Sequence, residues 1–321
     1  MNVYISVDIG GTQIRAAVYP ESGLEAIRRE RILTHGLNQT AIERMIDLIA
    51  LVWPGDDVVQ AIGVSSPGPL DPYLGVIVAA PNMPGWVDFP LQKILEDRFQ
   101  VPVILGNDAN LATVAEWKYG AGKGYHHVLY MTISTGIGGG VIENDHLILG
   151  RRGMATELGH VVVDPNGPLC TCGRYGHLEV YASGPNITQY VCQEVEKGRV
   201  SVFSGNLPKD AADVNDAACQ GDPLAIEAIH RAGYWIGLAL SNYLSIFDPE
   251  IIIIGGGVSQ CGNRLLDPIW SSMKSHAQTA DYLNNLVLTT AALGGDVCLL
   301  GALHLARELN EKKDLAAAIR F

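Results

Sequence analysis

Between residues 157 and 179 the chain reads ELGHVVVDPNGPLCTCGRYGHLE. Cys170 and Cys172 stand one residue apart, His160 precedes Cys170 by ten positions, and His177 follows Cys172 by five. Two thiolates and two imidazoles are donors that tetrahedral Zn²⁺ prefers, and four protein ligands leave no open position, so a metal here would be structural. The glycines of CGRYG supply a tight turn between the ligands. Read without the histidines, CTC is simply a pair of thiols in a loop. Glu157 and Glu179 bracket the stretch; they are either ordinary surface glutamates or acceptors of charge-assisted hydrogen bonds from a hydroxyl-rich ligand.

Three glycine-rich turns follow apolar runs: DIGGT at 8–12, STGIGGG at 134–140 and IIIIGGG at 251–257. Backbone amides approach a phosphate closely only where no Cβ intervenes. Any one of these turns alone is equally a tight hairpin. GIGGG also fits a loose dinucleotide template, but that template needs a helix directly after the glycines, and a strand-like run follows here. Together, the first two turns suit a grip on a nucleotide triphosphate through Gly10, Gly11, Thr12, Thr135, Gly136 and Gly138, with Gly255, Gly256 and Gly257 seating its nucleoside. Asp8 then offers a carboxylate for Mg²⁺, which is usually held by one or two carboxylates plus phosphate oxygens.

GNDAN places Asn107 and Asp108 where a strand ends and a helix begins. Either residue type caps a helix well, and a carboxylate in that position also suits proton abstraction from a hydroxyl. The loops SSPGPLD (65–71) and PNMPGW (81–86) offer Gly68, Asn82 and Trp86 as ligand contacts, or are rigid Pro/Gly turns with no such role.

The elements that must position these residues alternate along the first half. Residues 3–9 and 13–19 read as a hairpin joined by glycines, with a third strand near 25–33. A helix over 39–52 follows, capped at Asn38 or Thr40. The run 58–64 reads as a buried strand, 90–99 as a helix, VPVILGND as another strand, and the segment after it as a helix closed by glycine. Strand, glycine turn and strand recur over 127–143, so two similar halves are expected, facing each other across a cleft, with a boundary near 115–125. Helices are expected at 185–197, 222–247 and 296–318.

With 321 residues, 48% hydrophobic and 17% charged, the chain can bury two cores. A net charge of −12 argues against nucleic acid as a partner. No apolar run is long enough to span a bilayer. The start MNVYISVDIGGT lacks a positive leader segment, and six cysteines are too few for a disulfide scaffold, so a reducing cytoplasm is expected. Cys192, Cys219, Cys261 and Cys298 read as ordinary buried or semi-buried thiols.

DIGGT, GND followed by AN, TGIGGG, ELGH and CTCGRYGHLE, in this order and spacing, resemble the ROK family of sugar kinases and sugar-responsive repressors. The resemblance runs from residue 4 to the end. It implies an α/β, two-domain, actin-like or hexokinase-type (ribonuclease H-like) fold with duplicated sheets around an interdomain cleft. It also implies a smaller domain of 1–118 plus 302–321, and a larger one of 119–301 carrying the nucleotide site, the zinc loop and the oligomer surface. ATP with Mg²⁺ would be the phosphoryl donor, glucose the first-choice hexose acceptor at its 6-hydroxyl, and a homodimer or homotetramer the assembly. On this resemblance Asp108 is the catalytic base, and Gly68, Asn82, Asn107, Asp108, Glu157, His160 and Glu179 contact the sugar. His160, Cys170 and Cys172 match the family's zinc pattern, but His177 stands where a third cysteine is usual, which predicts a Cys2His2 site. Repressors of the family carry a helix-turn-helix before the DxGGT strand, for which this sequence has no room, so an enzyme is expected. Kinases for fructose, mannose, allose, N-acetylglucosamine or N-acetylmannosamine are the nearest rivals, with a non-catalytic sugar-binding regulator behind them.

Overall fold

The computed structural model describes residues 1–80, 83, 85–312 and 318–319. They divide into two compact units: Met1–Tyr119 with Asp145–Ala155 and Gly295–Phe321, and Gly120–Asn144 with Thr156–Gly294. The segment 145–155, expected with the second half, thus belongs to the first unit, and the C-terminal return starts at 295 instead of 302. Packing explains the first difference. Leu147 and Leu149 join Leu70 and Leu305 around one small cavity, and a Cβ at Gly153 would sit 2.3 Å from Pro72 Cδ. No local pattern announces such a contact.

In the first unit, β1 (Asn2–Ile9), β2 (Gln13–Pro20) and β3 (Arg28–Leu33) form the expected meander. Helix α1 (Ala41–Val52) begins at Thr40, not Asn38: the Thr40 hydroxyl accepts the Glu43 N–H while the Glu43 carboxylate accepts the Thr40 N–H. Then follow β4 (Val58–Ser66), the short β5 (Leu70–Asp71), β6 (Val76–Ala79) and β7 (Val87–Phe89), α2 (Leu91–Phe99), β8 (Val103–Asn107) and α3 (Asp108–Tyr119). The main sheet has the order β3-β2-β1-β4-β8, with β1 antiparallel to β2 but parallel to β4, and β4 parallel to β8. A second, small antiparallel sheet, β5-β6-β7, occupies a stretch that reads as Pro/Gly loops. Its strands are too short for alternation to show. Trp86, a candidate ligand surface in the sequence, is instead buried in the core and stacked on Phe89 with ring centroids 4.6 Å apart.

The chain continues with β9 (Val128–Ile133), β10 (Ile137–Glu143), β11 (His146–Leu147), α4 (Glu179–Ala182), α5 (Gly184–Glu196), α6 (Ala211–Cys219), α7 (Pro223–Phe247), β12 (Ile251–Gly255), α8 (Asn263–His276), β13 (Val287–Thr290) and α9 (Val297–Lys312). The second unit's strands run β10-β9-β12-β13, with β9 antiparallel to β10, parallel to β12, and β12 parallel to β13. This repeats the order and directions of β2-β1-β4-β8. The duplication read from the glycine hairpins is therefore real. Ile251, Ile252, Ile253 and Ile254 are all buried, as a central parallel strand covered on both faces requires.

In the first unit, Val3, Ile5, Val7 and Ile9 of β1 pack with Met45, Leu48, Ile49 and Val52 of α1. The helix positions follow the i, i+3, i+4, i+7 stripe of a core-facing surface. Each such side chain stabilises by roughly 1.5–3 kcal/mol when fully buried. Helix α9 lies against β1 and β4, and glycine makes that approach possible: a Cβ at Gly63 would sit 1.9 Å from Ala302 O. Among the described residues no helix is long and apolar enough to cross a membrane.

Candidate functional site

Parallel register brings the candidate residues of the first unit to one edge. Asp8 at the end of β1 pairs with Ser65 of β4, and Ser65 and Ser66 pair with Gly106 and Asn107 of β8. Asp108 follows as the first residue of α3. All lie at the carboxyl ends of parallel strands, where open α/β sheets bind their ligands. The sequence leaves Asn107 and Asp108 competing for the role of helix cap, and the structure divides the work. Asn107 Oδ1 accepts the N–H groups of Ala109 (3.0 Å) and Asn110 (3.2 Å), and Asp108 Oδ1 accepts that of Ala109 (2.8 Å). Asn107 thus caps the first turn of α3, and the Ala109 N–H orients the Asp108 carboxylate. Gly68 lies beside them: a Cβ there would meet Asn107 Nδ2 at 3.0 Å. Asn82 lies outside the described residues.

Two residues that sequence reading passed over complete this edge. Arg15 lies opposite Asp8 in the β1–β2 register and donates to Asp8 Oδ2 from Nη2 (2.6 Å) and Nε (3.0 Å). Burial alone would lower the Arg15 pKa, but the Asp8 charge and hydrogen bonds prevail and raise it. A signal was available. Arg15 is the one charged residue in β2, and a hairpin turning at Gly10 and Gly11 fixes its partner as Asp8. The other is Cys298, in the first turn of α9, whose Sγ lies 3.8 Å from Asp108 O. Burial pushes its thiol well above the usual range, and the carboxylates of Asp8 and Asp108 add to that. The thiol thus meets the Asp108 backbone over 190 positions, a contact that no local motif encodes.

The first glycine turn is closed by Gly10 N–H donating to Gln13 O (2.9 Å). It is supported from below by buried Thr34, whose hydroxyl donates to Gly10 O (2.6 Å) and whose N–H donates to Thr12 O (2.9 Å). Gly11 and Thr12 form the tip. In the second unit the corresponding turn is Ser134, Thr135 and Gly136 only. Gly138 is not part of the turn: it lies within β10, paired with Thr132. The glycine run continues into the strand because a Cβ at Gly139 would sit 2.5 Å from Leu158 Cδ1. Here close packing, not phosphate access, demands glycine. The third turn is Gly255, Gly256 and Gly257. Gly256 has φ 80°, and a Cβ on it would sit 2.3 Å from Ile133 O.

The ELGH motif packs directly on β10. A Cβ at Gly159 would sit 2.0 Å from Ile137 O, so only glycine lets this turn approach, and Tyr243 Oη donates to Leu158 O (2.5 Å). Burial pushes the Glu157 carboxyl up, nearby His160 opposes this, and Glu179 reinforces it. The cysteine loop is a miniature hairpin with bridges Leu169–Tyr175 and Val162–His177, and Cys170 N–H donates to Arg174 O (2.7 Å). At Gly176 (φ 70°) a Cβ would collide with Asp164 O at 1.6 Å. This fold brings His160, Cys170, Cys172 and His177 together, with one ligand atom from each all within 4.8 Å of one another.

His160 Nδ1 and His177 Nδ1 are 3.3 Å apart, Cys170 Sγ is 3.8 Å from His160 Nδ1, and Cys172 Sγ is 3.2 Å from His177 Nδ1. With Zn–S of about 2.3 Å and Zn–N of about 2.0–2.1 Å, a tetrahedron needs N–N edges of roughly 3.3 Å and S–N edges of roughly 3.6 Å. The set fits. Burial and the neighbouring His160 lower the His177 pKa, favouring the neutral imidazole that a metal requires. Cys192 and Cys298 are partly buried and Cys261 is buried, but Cys219 is exposed, contrary to expectation.

Both carboxylate oxygens of Glu179 accept hydrogen bonds. Its Oε2 accepts the Ile137 N–H (3.0 Å), directly after the Ser134–Gly136 turn, and its Oε1 accepts the Thr171 hydroxyl (3.3 Å). Glu157 and His160 carry no comparable bridge to that turn among the described hydrogen bonds.

A model of the ROK family matches residues 4–309. The chain is 36% identical to a glucokinase of Thermotoga maritima over 310 residues, covering 95% of this chain and 97% of that one. It is 36% identical to an N-acetylmannosamine kinase of Yersinia pseudotuberculosis over 256 residues, covering 79% and 82%. A crystal structure of a ROK family glucokinase from Streptomyces griseus, in complex with glucose and AMPPNP, superposes with a TM-score of 0.80 at 34% identity, covering 95% of this chain and 99% of that one.

Proposed function

The chain belongs to the ROK family, and from that premise we propose that it is an ATP-dependent glucokinase in which Asp108 is the general base for phosphorylation of the 6-hydroxyl. Its fold is the actin-like, hexokinase-type α/β fold of the family's sugar kinases. The observation that carries the catalytic reading is the convergence of Asp8, Asn107 and Asp108 on the carboxyl edge of the first sheet. Relatives named glucokinase and the glucose- and AMPPNP-bound neighbour support the substrates.

Phosphoryl transfer asks the protein mainly to position the acceptor, spread charge and take one proton. Asp108 takes the proton of the 6-hydroxyl, its carboxylate held in plane by the Ala109 N–H. Asn107, anchored through Oδ1, turns its amide nitrogen to a neighbouring hydroxyl beside Gly68. Asn82, Glu157, His160 and Glu179 are assigned to the remaining hydroxyls. The triphosphate falls to the backbone of Gly10, Gly11, Thr12, Thr135 and Gly136, and the nucleoside to Gly255, Gly256 and Gly257. Bound Mg²⁺ would offset the charge developing on the phosphates. Asp8 would hold it: both Arg15 bonds fall on Oδ2, so Oδ1 carries neither of them.

Zn²⁺ fits His160, Cys170, Cys172 and His177, with imidazole in place of the family's third thiolate. All four positions being protein ligands, it would lock the loop and perform no hydrolysis. A cytoplasmic location and a homodimer or homotetramer belong to the same reading. Exposed Val162, Leu169 and Tyr175 around the metal loop are apolar surface of the kind a second copy covers.

The test is ADP release with Mg·ATP against a panel of hexoses and N-acetylhexosamines. Rapid turnover of glucose with poor use of the acetylated sugars is the expected result. Preferential turnover of N-acetylmannosamine would keep the mechanism and move the substrate to the second reading, which the 36% identity to that kinase favours. Failure with every sugar would overturn both.

A further inference from the structure

We propose that Glu179 is a positioning residue that couples the metal loop to the nucleotide turn, so that occupancy of the His160–Cys170–Cys172–His177 site sets affinity for ATP. The inference rests on the kinase reading above. It starts from the two ends of one carboxylate. Oε2 accepts the Ile137 N–H at 3.0 Å, the first backbone donor after the turn Ser134–Gly136. Oε1 accepts the Thr171 hydroxyl at 3.3 Å and lies 3.8 Å from Cys170 Sγ. Thr171 sits between the two cysteine ligands, so whatever orders the ligands orders this hydroxyl.

Gly136 shows how closely the carboxylate is applied to the turn. A Cβ at that position would stand 2.6 Å from Glu179 Oε2. Glycine here thus serves the carboxylate clamp as well as any approaching phosphate. A divalent cation held by Cys170 and Cys172 would fix Thr171 between them, and a hydrogen bond from a fixed donor to an ionised carboxylate is a strong one. Without the cation, the loop end of the clamp rests on the Thr171 hydroxyl and the Cys170 thiol of a loop that no metal pins. The turn would then lose the fixed geometry that lets its amides meet a phosphate without reorganisation. The Glu179 backbone carbonyl accepts from the side-chain amide of Asn186 (3.1 Å) and from Ser183 N–H (3.1 Å), so its main chain is held independently of the clamp.

The experiment is a cycle of two changes, metal removal by chelation and Glu179→Gln, read by calorimetric binding of a non-hydrolysable ATP analogue and, separately, of glucose, with bound zinc measured for each sample. We expect either change alone to weaken the analogue roughly tenfold, the loss of about one charge-assisted bond. The two together should weaken it no more than either alone, the non-additivity that marks one shared pathway. Zinc content should be unchanged in Glu179→Gln, and in turnover the KM for ATP should rise more than kcat falls. Thr171→Val should reproduce the effect and Thr171→Ser restore it, which keeps the test in hand if Glu179→Gln folds poorly. Additive losses, or a loss of glucose affinity with analogue binding intact, would overturn the coupling while leaving the kinase reading in place. A wild-type protein that binds no adenine nucleotide would overturn both.

Discussion

Arg15 and Asp8 face each other at paired positions of the β1–β2 hairpin, and Arg15 grips a single carboxylate oxygen, with Nη2 at 2.6 Å and Nε at 3.0 Å from Oδ2. The third arm, Nη1, donates to Gly295 O at 2.6 Å. One guanidinium thus ties the end of β1 to the turn that opens α9, and α9 in turn places Cys298 against the carbonyl of Asp108.

Removing that guanidinium leaves a mostly buried carboxylate without its partner; the side chains of Arg15 and Asp8 are 21% and 12% exposed. Arg15→Met is expected to lower stability by about 3–5 kcal/mol, measured by urea denaturation. Arg15→Lys, which keeps the charge but not the forked geometry, should recover part of it. A loss below about 1 kcal/mol, the range of an exposed pair, would show that the pair is not the anchor described.

Asp108→Asn should keep glucose affinity and reduce kcat by at least ~10²-fold, since the amide cannot accept the hydroxyl proton. The capping of α3 by Asn107 should hold its fold. Near-normal turnover by this variant would remove Asp108 from the role of base.

Elemental analysis of the purified protein should find one zinc per chain. His177→Cys, which restores the thiolate usual in the family at this position, should retain it, and His177→Ala should lose it along with thermal stability. Metal retention by His177→Ala would show that His177 is not a ligand.

His304 predicts a pH dependence. It lies in α9, buried, with Nδ1 2.8 Å from Tyr119 Oη. Burial lowers its pKa to about 4, Glu308 opposing and Lys118, Arg307 and Lys312 assisting. The unfolded chain, with an ordinary imidazole near 6.5, binds the proton first, so this contribution is complete above pH ~6.5 and is lost as pH falls towards ~4, amounting to about 3 kcal/mol at most. Between pH 7 and 5 the Tm of the wild type should therefore fall more steeply than that of His304→Phe. Parallel curves would assign the acid sensitivity elsewhere.

Gly63→Ala should destabilise by about 1–3 kcal/mol or more, because its Cβ would meet backbone at Ala302 O and α9 would have to withdraw from β4. Chemical denaturation of the variant checks this. A silent substitution would mean that the helix tolerates the shift.

What the sequence determined by itself was everything whose cause is local. Alternating runs around DIGGT and TGIGGG gave both hairpins, because strand periodicity and glycine turns act within a few residues. A helix cap at Asn38 or Thr40, the apolar stripe of α1 and the candidate ligand set at 160, 170, 172 and 177 were legible for the same reason, and the structure chose Thr40. The pairing of Asp8 with Arg15 was implicit in the hairpin register. Only tertiary structure decided the rest. Cys298 meets Asp108, Leu147 and Leu149 join the first unit, and Trp86 turns into the core through packing between distant segments. Gly139 and Gly159 need to be glycine because of neighbours across space, and Glu179 shows its two-ended grip only once the metal loop lies against β10. A sequence shows which side chains are able to bond. The close-packed interior decides which of them meet.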